Sequence, residues 1–167
     1  MILWPRCPTD NEPEILQAIV ECVMPIRRIL RAKGSEVVTV KMFAKVGYIA
    51  NLLAERRIGV VLVVDEASEL VGILSERDLV HGMARRGASV LDMTARNLMT
   101  GVRSAASYST SLLDAMRIMT EQHIRHLPVI ESGKLVGLVS IGDIVKARLD
   151  EQEDEAHSMR TYIAGQH

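Results

Sequence analysis

LVGILSERDL at residues 70–79 returns as LVGLVSIGDI at residues 135–144. Leu, Val, Gly, Ser and Asp recur in place, and three of the other five positions stay apolar. A repeat constrains the fold before composition does, because each copy must be the same supersecondary unit. The match lengthens backwards. RRIGVVLVVDEASELVG (56–72) aligns with QHIRHLPVIESGKLVG (122–137) once one residue is dropped in the turn. Amphipathic segments precede both, AKVGYIANLLAE (44–55) and TSLLDAMRIMTE (110–121), with apolar residues at helical spacing. Short extended stretches, EVVTV (36–40) and VRSAA (102–106), come before those.

Each unit therefore reads strand, helix, strand, turn, strand, helix. VVLVV and LPVI read as buried strands, DEAS and ESGK as tight turns, and LVGIL and LVGLV as second strands. SERDLVHGMARRG reads as a helix capped by Gly87, and SIGDIVKARLDEQEDEA as a longer one. A unit of this size cannot cover both faces of its own strands, but two packed face to face can. The expected fold is α/β: two pseudo-symmetric βαββα repeats packed through their sheets. Residues 1–26 read as an extension, 27–90 as the first repeat, 91–149 as the second and 150–167 as an acidic helix or tail. Pro13 suits the first turn of a short helix ending before Pro25. DEQEDE (150–155) reads as a solvated face or tail.

Bulk numbers narrow the function. Twenty basic against 21 acidic residues leave a net charge of −1, so no basic field draws a nucleic-acid backbone. One Trp, one Phe and three Tyr supply little for base stacking. Cys7 and Cys22 do not make a disulfide framework, which fits a reducing cytoplasm. No apolar run reaches the ~18 residues of a membrane span. MILWPRCPTDNEPE lacks the pattern of a signal peptide.

The recurring Ser-x-x-Asp admits two readings that are compatible. At a strand-to-helix junction it is a capping box: the serine oxygen accepts from the N–H three residues on, and the acid reaches back to the serine N–H. Ser75/Asp78 and Ser140/Asp143 both fit. The same atoms also suit a nucleotide. A helix N-terminus favours phosphate, the hydroxyl adds a hydrogen bond, and an aspartate one turn in accepts from ribose hydroxyls. Gly72 or Gly137 before it lets a ligand or a neighbouring strand approach the backbone.

Over about residues 27–149 the repeat resembles the cystathionine-β-synthase (CBS) domain, and the tandem resembles a Bateman module. The carriers are the two Gly-h-h-Ser-x-x-Asp motifs (h, apolar), IRHLPVIESGKLVG, and LMT (98–100) opening the second repeat. SERD, SIGD and MRTYIAG give the look of stand-alone bacterial CBS-pair proteins. The resemblance implies binding of adenosine-containing ligands, AMP, ADP, ATP, NAD(H) or S-adenosylmethionine, without catalysis. It implies Asp78 and Asp143 at ribose, and Ser75 and Ser140 at phosphate. Val60, Val61, His126 and Leu127, with Pro128 beside them, would lie near adenine. Arg125 and His126 would face phosphate, with Arg77 a further candidate and Thr39 on the first strand. The chain departs from the family where Met42, Phe43 and Lys45 replace a turn and a helix cap. Ala105 stands opposite Thr39, and Ile58 and Gly59 opposite Ile124 and Arg125. Because Arg125 and His126 precede the second Leu-Pro-Val strand, the Asp143 site is expected to prefer phosphorylated ligands.

Other constellations are weaker. His123 and His126 are spaced like metal ligands on a helix, but the helix ends between them, and no metal is expected. GMARRG (82–87) lacks the Lys-Ser/Thr of a P-loop. The nine methionines read as pliable core or interface. The expectation is a cytoplasmic, non-enzymatic sensor with no required cofactor. It would form a homodimer through the apolar faces of 44–55 and 110–121, and act through an unknown protein effector or by sequestering its ligand. The alternative is a ligand-independent dimerisation scaffold whose Ser-x-x-Asp pairs are only caps.

Overall fold

The computed structural model describes residues 25–34 and 36–164; the Pro13 helix and both cysteines lie outside that range. Helix α1 (Ile26–Lys33) leads to strand β1 (Thr39–Lys41), α2 (Val46–Arg56), β2 (Val60–Val64), β3 (Leu70–Ser75) and α3 (Glu76–Arg86). A 3-10 turn over Gly87–Asp92 and the short α4 (Ala95–Leu98) join the halves. The second half holds α5 (Leu112–Glu121), β4 (His126–Glu131), β5 (Lys134–Ser140) and α6 (Ile141–Ala164). Residues 150–155 are therefore part of a helix.

The sheets repeat one plan. In the first, β1 lies parallel to β2, and β2 is antiparallel to β3. In the second, β4 and β5 are antiparallel, and the first strand shrinks to one parallel bridge, Ala106 to Val129. Pro128 accounts for the difference. In the first half the Leu62 N–H donates to the Val38 carbonyl at 3.1 Å, extending the ladder upstream. Pro128 holds the corresponding place and has no N–H to give. The expected strand over 102–106 is thus reduced to its last residue, held by Ala106 N–H to Pro128 O and Ile130 N–H to Ala106 O, both 2.8 Å.

β2 is buried at all five positions, so both its faces are covered, and its unbroken VVLVV follows from that. Val61 and Val63 join Val40, Ile49, Leu53, Leu74 and Ala95 in the first core. The second gathers Leu112, Ala115, Met119, Leu127, Val129, Val139 and Ile144 around Ile26, Ile29 and Leu30. The halves thus exchange their leading helices: α1 packs in the second core, and Ala95 of α4 in the first. The exchange is pinned by backbone bonds, Ile26 N–H to Thr110 O at 3.0 Å and a two-way Ile73–Thr100 pair at 2.8 and 2.9 Å.

Both motif glycines serve this exchange. A Cβ on Gly72 would stand 2.6 Å from Met99 Sδ and 3.0 Å from Thr100 O, and one on Gly137 2.8 Å from both Leu30 methyls. At both glycines a segment of the chain itself makes the close approach. At MFAK a turn still forms, with Ala44 N–H on Lys41 O at 2.9 Å, but α2 has no side-chain cap. Met93 O takes the Val46 N–H at 2.9 Å instead, and Lys45 Nζ reaches Asp92 O at 2.7 Å.

Candidate functional site

The Ser-x-x-Asp pairs form where β3 meets α3 and β5 meets α6. Ser75 N–H and Oγ–H both donate to Asp78 Oδ2, at 2.8 and 2.6 Å, and Asp78 N–H returns to Ser75 Oγ at 3.4 Å. The second box repeats this: Ser140 N–H and Oγ–H reach Asp143 Oδ2 at 2.7 and 2.8 Å, and Asp143 N–H reaches Ser140 Oγ at 3.2 Å. The capping reading of the motif is therefore correct for both, and each leaves one carboxylate oxygen outside the box.

The surroundings of the two boxes differ. Beside Asp78 opens a cavity of about 270 Å³. Its first wall is Gly59, Val60, Ile73 and the α3 N-terminus with Ser75, Glu76, Arg77 and Asp78. Its second wall comes from the other half: Thr100, Arg103 and Ser104 on the connection, and Gln122 to His126 between α5 and β4. Asp78 Oδ1 faces Thr100 Oγ1 at 3.5 Å. Three arginines converge on this space, and no ion pair among the described residues ties Arg77, Arg103 or Arg125 down. Cations beside the Asp78 and Glu76 carboxylates and a helix N-terminus suit a ligand with vicinal hydroxyls and an anionic end.

Beside Asp143 stands Lys33 from the end of α1, its Nζ 2.5 Å from Oδ2. Burial works to raise the Asp143 carboxyl, but the Lys33 and Ser140 hydrogen bonds and the Lys33 charge outweigh it and hold the group below its ordinary value. His126 sits between the two boxes. It pairs with Ser140 across the sheet, and its Cε1 lies 3.7 Å from where a Gly59 Cβ would be. Burial lowers its pKa; Asp143 and Glu76 pull the other way, and Lys33 and Arg125 add to the lowering.

The expected site residues scatter accordingly. Val60, Ser75, Arg77, Asp78, Arg125 and His126 meet in the cavity. Ser140 and Asp143 form the separate box. Val61 and Leu127 are wholly buried with their side chains in the cores, and Pro128 is buried beside Leu127. Thr39 lies elsewhere, in a groove with Lys41, Ser68, Ile130 and Lys134. The assignment of Arg125 to the Asp143 site is corrected: it lines the cavity of Asp78, while its carbonyl accepts the Ile141 N–H at 2.9 Å at the start of α6. Thr100, Arg103, Ser104 and Lys33 were not expected from the sequence. Their signal is the repeat itself, since Lys33 stands seven residues before Val40 and Met99 seven before Ala106, two positions with matching partners Val63 and Val129. His123 begins no helical pair with His126: α5 ends at Glu121 and His123 has a φ of 54°, as Arg57 does at 52° after α2.

Residues 27–85 and 95–150 match the CBS domain family model. The chain belongs to the CBS domain family. It carries two of these domains in tandem, a regulatory CBS pair. It is 33% identical over 117 residues to the mitochondrial CBS domain-containing protein CBSX3 of Arabidopsis thaliana, a match covering 68% of this chain and 57% of that protein. The chain thus spans little more than half of that relative. Among solved structures, the CBS-domain containing protein ATU1752 from Agrobacterium tumefaciens is 39% identical with a TM-score of 0.72, covering 74% of this chain and 92% of that one. CBS domain protein PAE2072 from Pyrobaculum aerophilum, complexed with AMP, is 26% identical with a TM-score of 0.65, covering 72% and 89%. Among the described residues no helix is long and apolar enough to cross a membrane.

Proposed function

We propose that this CBS pair is a non-catalytic sensor that binds an adenine mononucleotide in the Asp78 cleft. The observation that carries the reading is the convergence of Arg77, Arg103 and Arg125, from both halves, on a cavity that also holds Asp78 and the N-terminus of α3. A helix cap requires neither a cavity nor three cations. Asp78 Oδ1 would take the ribose hydroxyls, the arginines the phosphate, and the backbone around Gly59 and Val60 the adenine. The AMP held by the Pyrobaculum relative supports the class of ligand. A volume of about 270 Å³ falls just below the range of small-molecule pockets, ~300–1,000 Å³. It favours AMP, ADP or ATP over NAD(H), whose second nucleoside would extend outside the cleft.

Ligand bridging the two halves would shift the population toward one relative arrangement. The signal would leave through a homodimer contact or a protein effector. The scaffold alternative has one observation in its favour: both Ser-x-x-Asp pairs make complete capping boxes. Thermal shift against a panel of adenosine, AMP, ADP, ATP and NAD(H) separates the two. A ligand at ~100 times its Kd stabilises by about 2.7 kcal/mol. AMP is expected to raise the melting temperature; a panel without effect favours the scaffold.

A further inference from the structure

Resting on the reading of the Ser-x-x-Asp motifs as adenosine-ligand sites, we propose that Lys33 determines specificity at the second motif. Its ammonium is paired with the Asp143 carboxylate. It transfers to the phosphate of an incoming ligand whose ribose takes its place.

The two motifs have the same cap and different visitors. Asp78 is approached by the neutral Thr100, at 3.5 Å, while Met99 fills the space over Gly72. In the other half the residue that approaches the motif aspartate is Lys33, its Nζ 2.5 Å from Asp143 Oδ2. That oxygen already accepts the Ser140 N–H and Oγ–H. The position is built. Leu30 sits against Gly137, and Ile26 N–H is bonded to Thr110 O, so α1 delivers Lys33 to Asp143 and not to solvent.

A ribose approaching Asp143 Oδ1, the oxygen outside the box, meets this ammonium on the adjoining Oδ2. The pair is part-exposed, 36% for the Lys33 side chain and 24% for Asp143, so it can open without disturbing either core. The lysine is a point charge on a flexible four-carbon stem, and Nζ can swing while α1 stays docked. A nucleoside that displaces it leaves an ammonium without its partner. A nucleotide supplies a phosphate in the same step, and the charge-assisted bond is regained. Arg125 lines the other cleft. The burial of His126 favours its neutral ring. The second motif thus discriminates for phosphate through a residue from the opposite half.

The test uses the full chain with Asp78→Ala, which removes the first site's carboxylate, and calorimetric titration with adenosine and with AMP. Adding Lys33→Met should raise adenosine affinity about two- to fivefold, the scale of a part-exposed ion pair. It should also lower the AMP-to-adenosine preference by at least as much, whereas Lys33→Arg keeps the preference. An unchanged preference with Lys33→Met overturns the proposal. So does a second site that stays silent with and without Lys33→Met while the unmodified chain binds AMP; the Asp78 reading then stands alone. If the unmodified chain binds neither ligand, the adenosine reading itself fails. Should Asp78→Ala not fold, Lys33→Met alone must add a second adenosine equivalent, and its failure to do so sinks the proposal.

Discussion

Two side chains at the domain junction couple folding to pH. His126 has a lowered pKa, caused first by burial. In the unfolded chain it returns to its ordinary value of 6.5, so the unfolded state binds the proton more readily. Its contribution is whole above about pH 6.5 and is lost as pH falls toward the lower folded value. Asp143 has a lowered pKa too, and its contribution is whole above 3.8 and lost as pH falls below that. Urea unfolding at pH 7.5 and 5.5 should therefore show lower stability at 5.5, and His126→Gln should shrink that difference. Equal slopes in the two proteins would remove His126 from the account. The Ser-x-x-Asp boxes were legible in the sequence because capping is local, with every bond spanning three residues. The Lys33–Asp143 pair was not, because its partners stand 110 residues apart and meet only through the exchange of α1.

That exchange is the chief event at the scale of elements, and two glycines permit it. Gly72→Ala and Gly137→Ala should each cost about 1–3 kcal/mol by overpacking, read as a lower urea midpoint. Gly142→Ala is the control, since its Cβ would meet only Ser140 Oγ, at 3.7 Å. It should stay within about 1 kcal/mol of the parent. Leu30→Ala should absorb part of the Gly137→Ala penalty, because contacting pairs are not additive. A Gly137→Ala chain as stable as the parent would mean that α1 is not docked there. Most elements were readable beforehand. VVLVV and LVGIL are strands by their apolar runs, and α2 and α5 are helices by their spacing, ending within a residue or two of the expected limits. VRSAA was not, because its failure lies with Pro128 on the partner strand. The exchange of α1 and α4 was hidden for a similar reason. The repeat fixes what each unit contains, but which unit receives a leading helix is a matter of tertiary packing.

Across the whole molecule, apolar side chains remain uncovered on helices of both halves. Tyr48 on α2, Val80 and Met83 on α3, Leu113 on α5, and Val145 and Leu149 on α6 are all exposed. The expected homodimer would cover them, and two-fold pairing is the commonest result for such faces. Light scattering at micromolar concentration should give twice the chain mass of 18.5 kDa, with Met83→Glu and Leu113→Glu shifting it toward one. A monomeric parent would contradict this. The Asp78 cleft belongs to this scale as well. Its motif half could be read from the repeat, whereas Arg103 and Arg125 reach it only through the packing of one unit on the other. The measurement closest to the central claim is calorimetry of AMP binding to the parent chain and to Asp78→Ala. The account predicts that the parent binds AMP and that Asp78→Ala removes its tighter site while the chain still melts cooperatively. AMP binding left intact by Asp78→Ala would contradict it, and would return the motif to a helix cap.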